Sequence, residues 1–160
     1  MTPETAFSRS SREDNWLPIL KRATAEVFEI MLGCQVTPVD LSGQKVESGF
    51  TAIVGLAGAL CGVVTVCCGP ETAGHIAKLM LGGTAENAAE VGDALGELCN
   101  MIAGNFKNKL AGTDERCMLS VPSVVSGGEY RFHSLAQGNS MEAAVLLESC
   151  PVSICLQLLD

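Results

Sequence analysis

The residues best placed to act on another molecule are Glu97 and Asn100, in the run Asp93-Ala-Leu-Gly-Glu97-Leu-Cys-Asn100-Met-Ile-Ala-Gly104-Asn105. On a helix advancing about 100° per residue, side chains at i and i+3 emerge side by side. A carboxylate, which only accepts hydrogen bonds, then stands next to an amide that both donates and accepts. The same rotation gathers Val91, Leu95, Leu98, Ile102 and Phe106 on one side of the helix. It gathers Glu90, Asp93, Glu97, Asn100, Gly104, Lys107 and Asn108 on the other. Taken alone, such a polar lane is what any solvated helix face shows. The glycines point further. Gly92, Gly96 and Gly104 each lower helicity by roughly 1 kcal/mol relative to Ala, and small residues beside Glu97 and Asn100 would let another protein approach closely.

Other site chemistries find little support. His75 and His133 have no Cys, Asp or His at ligand spacing and read as structural or surface residues. There is no G-x-S-x-G elbow, phosphate-binding glycine loop, dinucleotide fingerprint or calcium loop. The eight cysteines include no C-x-x-C pair, and most lie in apolar runs such as Val66-Cys67-Cys68. They read as reduced core thiols, with Cys99 the one whose oxidation would touch the motif. No metal or cofactor bound by this chain is expected.

The elements that must hold this helix follow from pattern and composition. The chain has 160 residues, a net charge of −8 and 48% apolar residues. That is enough for one domain with its own core, and the excess acid without a basic run argues against a nucleic-acid or anionic-membrane surface. Residues 1–13 read as a flexible tail and 14–160 as one domain. A first helix is expected from Asp14 or Asn15 to Gly33, with Pro18 in its first turn and an apolar stripe from Trp16 to Leu32. The uncharged stretch from Ser48 to Pro70 contains Gly58-x-x-x-Gly62 and resembles a membrane span in hydropathy. Its glycines and β-branched valines fit two paired strands better, at about 49–57 and 60–68. A second helix is expected over 71–81. The long helix follows over 88–110, with Thr84 a possible cap for the segment before it. Strands are expected near 117–121, 128–134, 141–148 and 152–159. With no apolar leader segment at its start, the chain is expected to be cytoplasmic.

The Glu97/Asn100 run resembles the E-x-x-N signature of the CheC/CheX/FliY phosphatases of bacterial chemotaxis. Leu17-Pro18 through Met31-Leu32-Gly33 is similar to the first helix of CheX-like domains. Gly58-Ala-Leu-Cys-Gly62-Val-Val is similar to their strand pair, and Pro122-Ser-Val-Val-Ser-Gly127 to the turn after their long helix. CheC-type members carry two such motifs. In this chain neither Glu26 nor Glu29 has an Asn three residues on, which puts it nearer the CheX type.

The resemblance implies a CheC-like α+β fold, in which a mainly antiparallel sheet packs against the long motif-bearing helix and two further helices. It implies hydrolysis of the aspartyl phosphate of a CheY-type response regulator, with Asn100 orienting the attacking water and Glu97 pairing with the regulator's active-site Lys. Glu90, Asp93, Gly104 and Lys107 would line the contact with that partner. Mg²⁺ would belong to the regulator, and the chain would pair as a homodimer. The alternative implied by the same fold is a module that binds a regulator or a flagellar switch without catalysis.

Overall fold

The computed structural model describes residues 4–41, 44, 46–47, 49–110, 117–128, 130 and 140–159, with side chains from Trp16 onward. Period-two alternation builds its sheet. β1 (Thr37–Val39), β2 (Phe50–Gly58), β3 (Gly62–Cys68), β4 (Cys117–Leu119), β5 (Ser123–Ser126), β6 (Ser140–Leu147) and β7 (Cys150–Leu158) form one antiparallel sheet. Its order is β1-β6-β7-β3-β2-β4, with β5 also pairing with β2. Val54, Val64, Val66, Ile154 and Leu156 are fully buried on one face, where the helices pack. This is the α+β architecture expected, with α1 (Glu4–Leu32), α2 (Pro70–Leu81) and α3 (Ala88–Lys109) against the sheet.

The uncharged stretch forms the β2–β3 hairpin, in register from Phe50↔Cys68 to Leu56↔Gly62. Gly58 takes a φ of +130°, and a Cβ on Gly62 would meet the Gln157 carbonyl oxygen at 2.5 Å. The glycine spacing thus serves a tight turn and the close approach of β7. Among the described residues, no helix is long and apolar enough to cross a membrane.

Two expectations need correction. Helix α1 begins at Glu4, so residues 4–13, read as a tail, continue the helix, and Pro18 lies inside it. Pro18 has no N–H for the Asp14 carbonyl, a loss of about 3 kcal/mol in a helix interior. The turns that follow offset it by burying Leu20, Ala23, Val27 and Phe28. The segment from Pro122 to Gly127 was expected as a turn, yet Ser123–Ser126 pairs with β2. The strand expected near 128–134 lies largely outside the described residues, as does His133.

Candidate active site

α3 starts at Asn87, whose Oδ1 accepts from the Glu90 N–H at 2.9 Å. The cap is therefore Asn87, and Thr84 lies outside the helix. Glu90 in turn accepts from the Glu86 N–H at 2.6 Å, so its carboxylate is engaged in holding the helix start. Along the body of the helix, Leu95, Leu98, Cys99, Ile102 and Phe106 are fully buried. Phe106 meets Trp16 of α1 edge-on, with ring centroids 6.4 Å apart.

With that side fixed in the core, the opposite side must face out. Asp93 and Glu97 are exposed, and Asn100 and Lys107 are half-buried. Among the described residues, the side chains of these four make no hydrogen bond or ion pair. The pair singled out in the sequence is thus presented outward with its hydrogen-bonding capacity open.

The glycines have a different role from the one expected of them. A Cβ on Gly96 would lie 3.3 Å from both Pro122 Cβ and Val124 Cγ2, and one on Gly92 would lie 3.5 Å from Val124 Cγ1. Both glycines are buried beneath the chain's own β5 segment and let it lie close against α3. They are not a bare surface for a partner. Gly104 differs. It is half-buried, and a Cβ there would reach only Leu119 Cδ1, at 3.7 Å. It opens onto a groove of about 400 Å³ between α1 and α3, whose wall includes Asn100.

A second polar cluster lies on the side of α3 turned to α1. Asn105 Nδ2 donates to Glu26 Oε2 at 3.0 Å and to the Ala23 carbonyl at 3.3 Å. Lys109 Nζ approaches Glu26 Oε1 at 2.9 Å and Oε2 at 2.8 Å. The Lys109 and Asn105 hydrogen bonds hold the Glu26 carboxyl below the ordinary glutamate range. No local spacing pointed to this cluster, because its members are some eighty positions apart in the chain.

The thiols are a mixed set. Cys68, Cys99 and Cys117 are buried, Cys34, Cys67 and Cys155 are half-buried, and Cys61 and Cys150 are exposed. Burial pushes the Cys99 thiol up to about 12, and its sulfur rests 3.5 Å from the Val64 carbonyl oxygen inside the core. It is not poised for oxidation. His75 Nε2 lies 3.2 Å from Glu148 Oε2 without hydrogen-bond alignment. Among the described residues, no cluster of His, Cys, Asp or Glu could hold a metal ion.

The profile of the family described as chemotaxis phosphatase CheX matches residues 50–145, which include all of α3. The chain belongs to the CheX family. A curated relative, the CheY-P phosphatase CheX of Thermotoga maritima, is 28% identical over 99 residues. That match covers 61% of this chain and 64% of the relative's length. Among solved structures, CheX of Desulfovibrio desulfuricans has a TM-score of 0.80 at 22% identity, over 90% of this chain and 99% of that one. The CheX–CheY–BeF₃–Mg²⁺ complex of Borrelia burgdorferi matches with a TM-score of 0.74 at 21% identity, over 91% of this chain and 98% of that one. These structures share the fold built above.

Proposed function

We propose that this CheX-family protein hydrolyses the aspartyl phosphate of a CheY-type response regulator, with Glu97 and Asn100 entering the regulator's active site. The observation that carries the reading is the open pair itself: an acid and an amide a turn apart on α3, turned outward and unpaired among the described residues. The relative named a CheY-P phosphatase and the CheX–CheY complex support the choice of substrate.

An acyl phosphate is already reactive, and its hydrolysis is slow mainly because water is poorly placed. The regulator brings its own acidic pocket, Mg²⁺ and Lys, so a helper need supply neither metal nor nucleophile. It has to hold a water in line with the bond that breaks. The Asn100 amide accepts from that water through its oxygen and donates through its nitrogen, without the charge that would repel phosphoryl oxygens. The water oxygen bonds to phosphorus as the acyl P–O bond breaks. The aspartate carboxylate and inorganic phosphate leave, and the water's proton passes to phosphate or solvent.

Glu97 pairs with the regulator's Lys and sets the depth and angle of Asn100. Asp93 and Lys107 border the contact and act mainly on association rate. Gly104 opens the surface beside Asn100, while Glu90 contributes by fixing the start of α3. The reading also includes a cytoplasmic homodimer. Met118, Val121 and Val125, exposed along the β4–β5 margin, form an apolar surface that pairing would cover.

The test is the phosphate lifetime of a phosphorylated CheY-type regulator with parent protein and with Asn100→Ala. The parent is expected to shorten the lifetime and the variant to lose roughly 10²-fold or more of that effect. A protein that binds the regulator without shortening the lifetime would be a non-catalytic module. Sedimentation of the isolated protein tests the dimer.

A further inference from the structure

We infer that the groove beside Asn100 is a docking pocket for one apolar side chain that the response regulator carries next to its phosphoaspartate. The inference rests on the proposed function and adds what the partner must present. Asn100 and Met101 of α3 form one wall, Ile30 and Met31 of α1 the other, and Leu119 of β4 closes an end. Gly104 leaves the middle open. The volume of about 400 Å³ has room for a large aliphatic or aromatic side chain.

The occupant follows from position and charge. Asn100 lines the groove, so a protein that brings a phosphoaspartate to Asn100 lies across its mouth. Such a protein presents its active-site Lys beside the phosphoryl group, and the exposed acids Asp93 and Glu97 match that cation. These acids lie toward the N-terminal end of α3, and the groove opens on the other side of Asn100, where the carboxylate of Glu26 is already paired with Lys109. What remains free on that side is apolar except for the exposed amide of Asn108. Ile30 is 76% exposed at the rim. Met31 and Met101 are half-buried, flexible and polarisable, suited to closing round a guest side chain. The walls are also fixed beforehand. The contacts of Glu26 with Asn105 and Lys109 tie α1 to α3, so no ordering of the two helices opposes docking. A preformed pocket next to the reacting group is where an apolar anchor contributes most to an interface.

The experiment uses the full chain and a purified CheY-type regulator. Release of phosphate from the phosphorylated regulator gives KM and kcat, and titration of the beryllofluoride-bound regulator gives Kd. Gly104→Leu fills the groove from a helical position with space around it, and Ile30→Asp places a charge at the rim. Leu81→Ser, on the exposed end of α2, is the control, and circular dichroism checks folding. Both groove variants are expected to raise KM and Kd about tenfold or more, with kcat within about twofold of parent, while the control matches parent. Parent-like KM and Kd in both groove variants overturn the docking pocket. So does Gly104→Leu converting a dimer to a monomer at parent Kd, since the groove then holds a second copy. If Asn100→Ala keeps the parent rate while the groove variants still weaken binding, the proposed chemistry fails and the pocket stands.

Discussion

Two acid–amide pairs involve α3, and they behave in opposite ways. Glu97 and Asn100 stand on its outer side with no partner among the described residues. Asn105 and Glu26 stand between α3 and α1, bonded to each other and to Lys109 and the Ala23 carbonyl. The residue types are alike, so chemistry alone does not separate them. Whether the amide's donors are already used does. An amide bound at both hydrogens stiffens a helix pair, whereas one left open can bind something that arrives. α1 makes the same point: its Glu26 is held in the clamp and its exposed Glu29 has no amide beside it, so one helix carries the motif and its neighbour supports it.

Exchanging the two amides is the sharpest way to break this comparison. Asn100→Ala is expected to reduce phosphatase activity by roughly 10²-fold or more with little change in unfolding midpoint, since it removes no bond within the described residues. Asn105→Ala is expected to do the reverse. It removes the two bonds that Nδ2 makes to the Ala23 carbonyl and to Glu26, costs about 1 kcal/mol of stability and keeps most of the rate. Denaturant unfolding and phosphate-release assays on both variants read the two effects separately. A large stability loss in the first, or a 10²-fold rate loss in the second, would reverse the assignment.

The glycines allow a second comparison. Gly96 faces Pro122 and Val124 at 3.3 Å, whereas Gly104 faces only Leu119 at 3.7 Å. Gly96→Leu is expected to push the β5 segment away and cost about 1–3 kcal/mol. Gly104→Ala meets ordinary contact and should stabilise the helix by about 0.5–1 kcal/mol. Thermal midpoints of the two variants should therefore move in opposite directions. Equal losses in both would mean that α3 is not packed against β5 as the structure has it.

What the sequence made legible was periodic. The hairpin β2–β3, the extent of α3 and the outward turn of Glu97 and Asn100 follow from alternation, from the apolar stripe and from the offset between them. Residues 4–13 show no apolar stripe, so their helix had no such signal, and Pro18 passed for a helix start. β5 is four residues long and lies at the sheet margin, too short for alternation to mark it. Gly92 and Gly96 were legible as small, but not as small because Pro122 and Val124 lie against them. The clamp of Glu26, Asn105 and Lys109 joins distant parts of the chain, and Glu90 reads as a surface acid until its bond to the Glu86 N–H is seen.

The smallest effect expected is on pH. Hydrogen bonds from Lys109, and then from Asn105, lower the Glu26 pKa in the folded protein. A group with a depressed folded pKa contributes stability that is fully present above its unfolded pKa and lost as pH falls through the folded value. Replacing Glu26 by Gln removes that charge-dependent contribution at every pH. Parent and Glu26→Gln are therefore expected to differ by a constant margin from neutral pH down to about pH 5, above the ordinary glutamate value near 4.3. The margin should close on further acidification, as the parent's carboxylate takes up its proton and stops attracting Lys109. Denaturant midpoints of the two proteins between about pH 3 and pH 7 measure it. Because Glu26 is solvent-accessible, salt should narrow the margin at neutral pH as well. A margin that widens on acidification would mean that the folded protein favours protonated Glu26, and the clamp between α1 and α3 would then not be ionic.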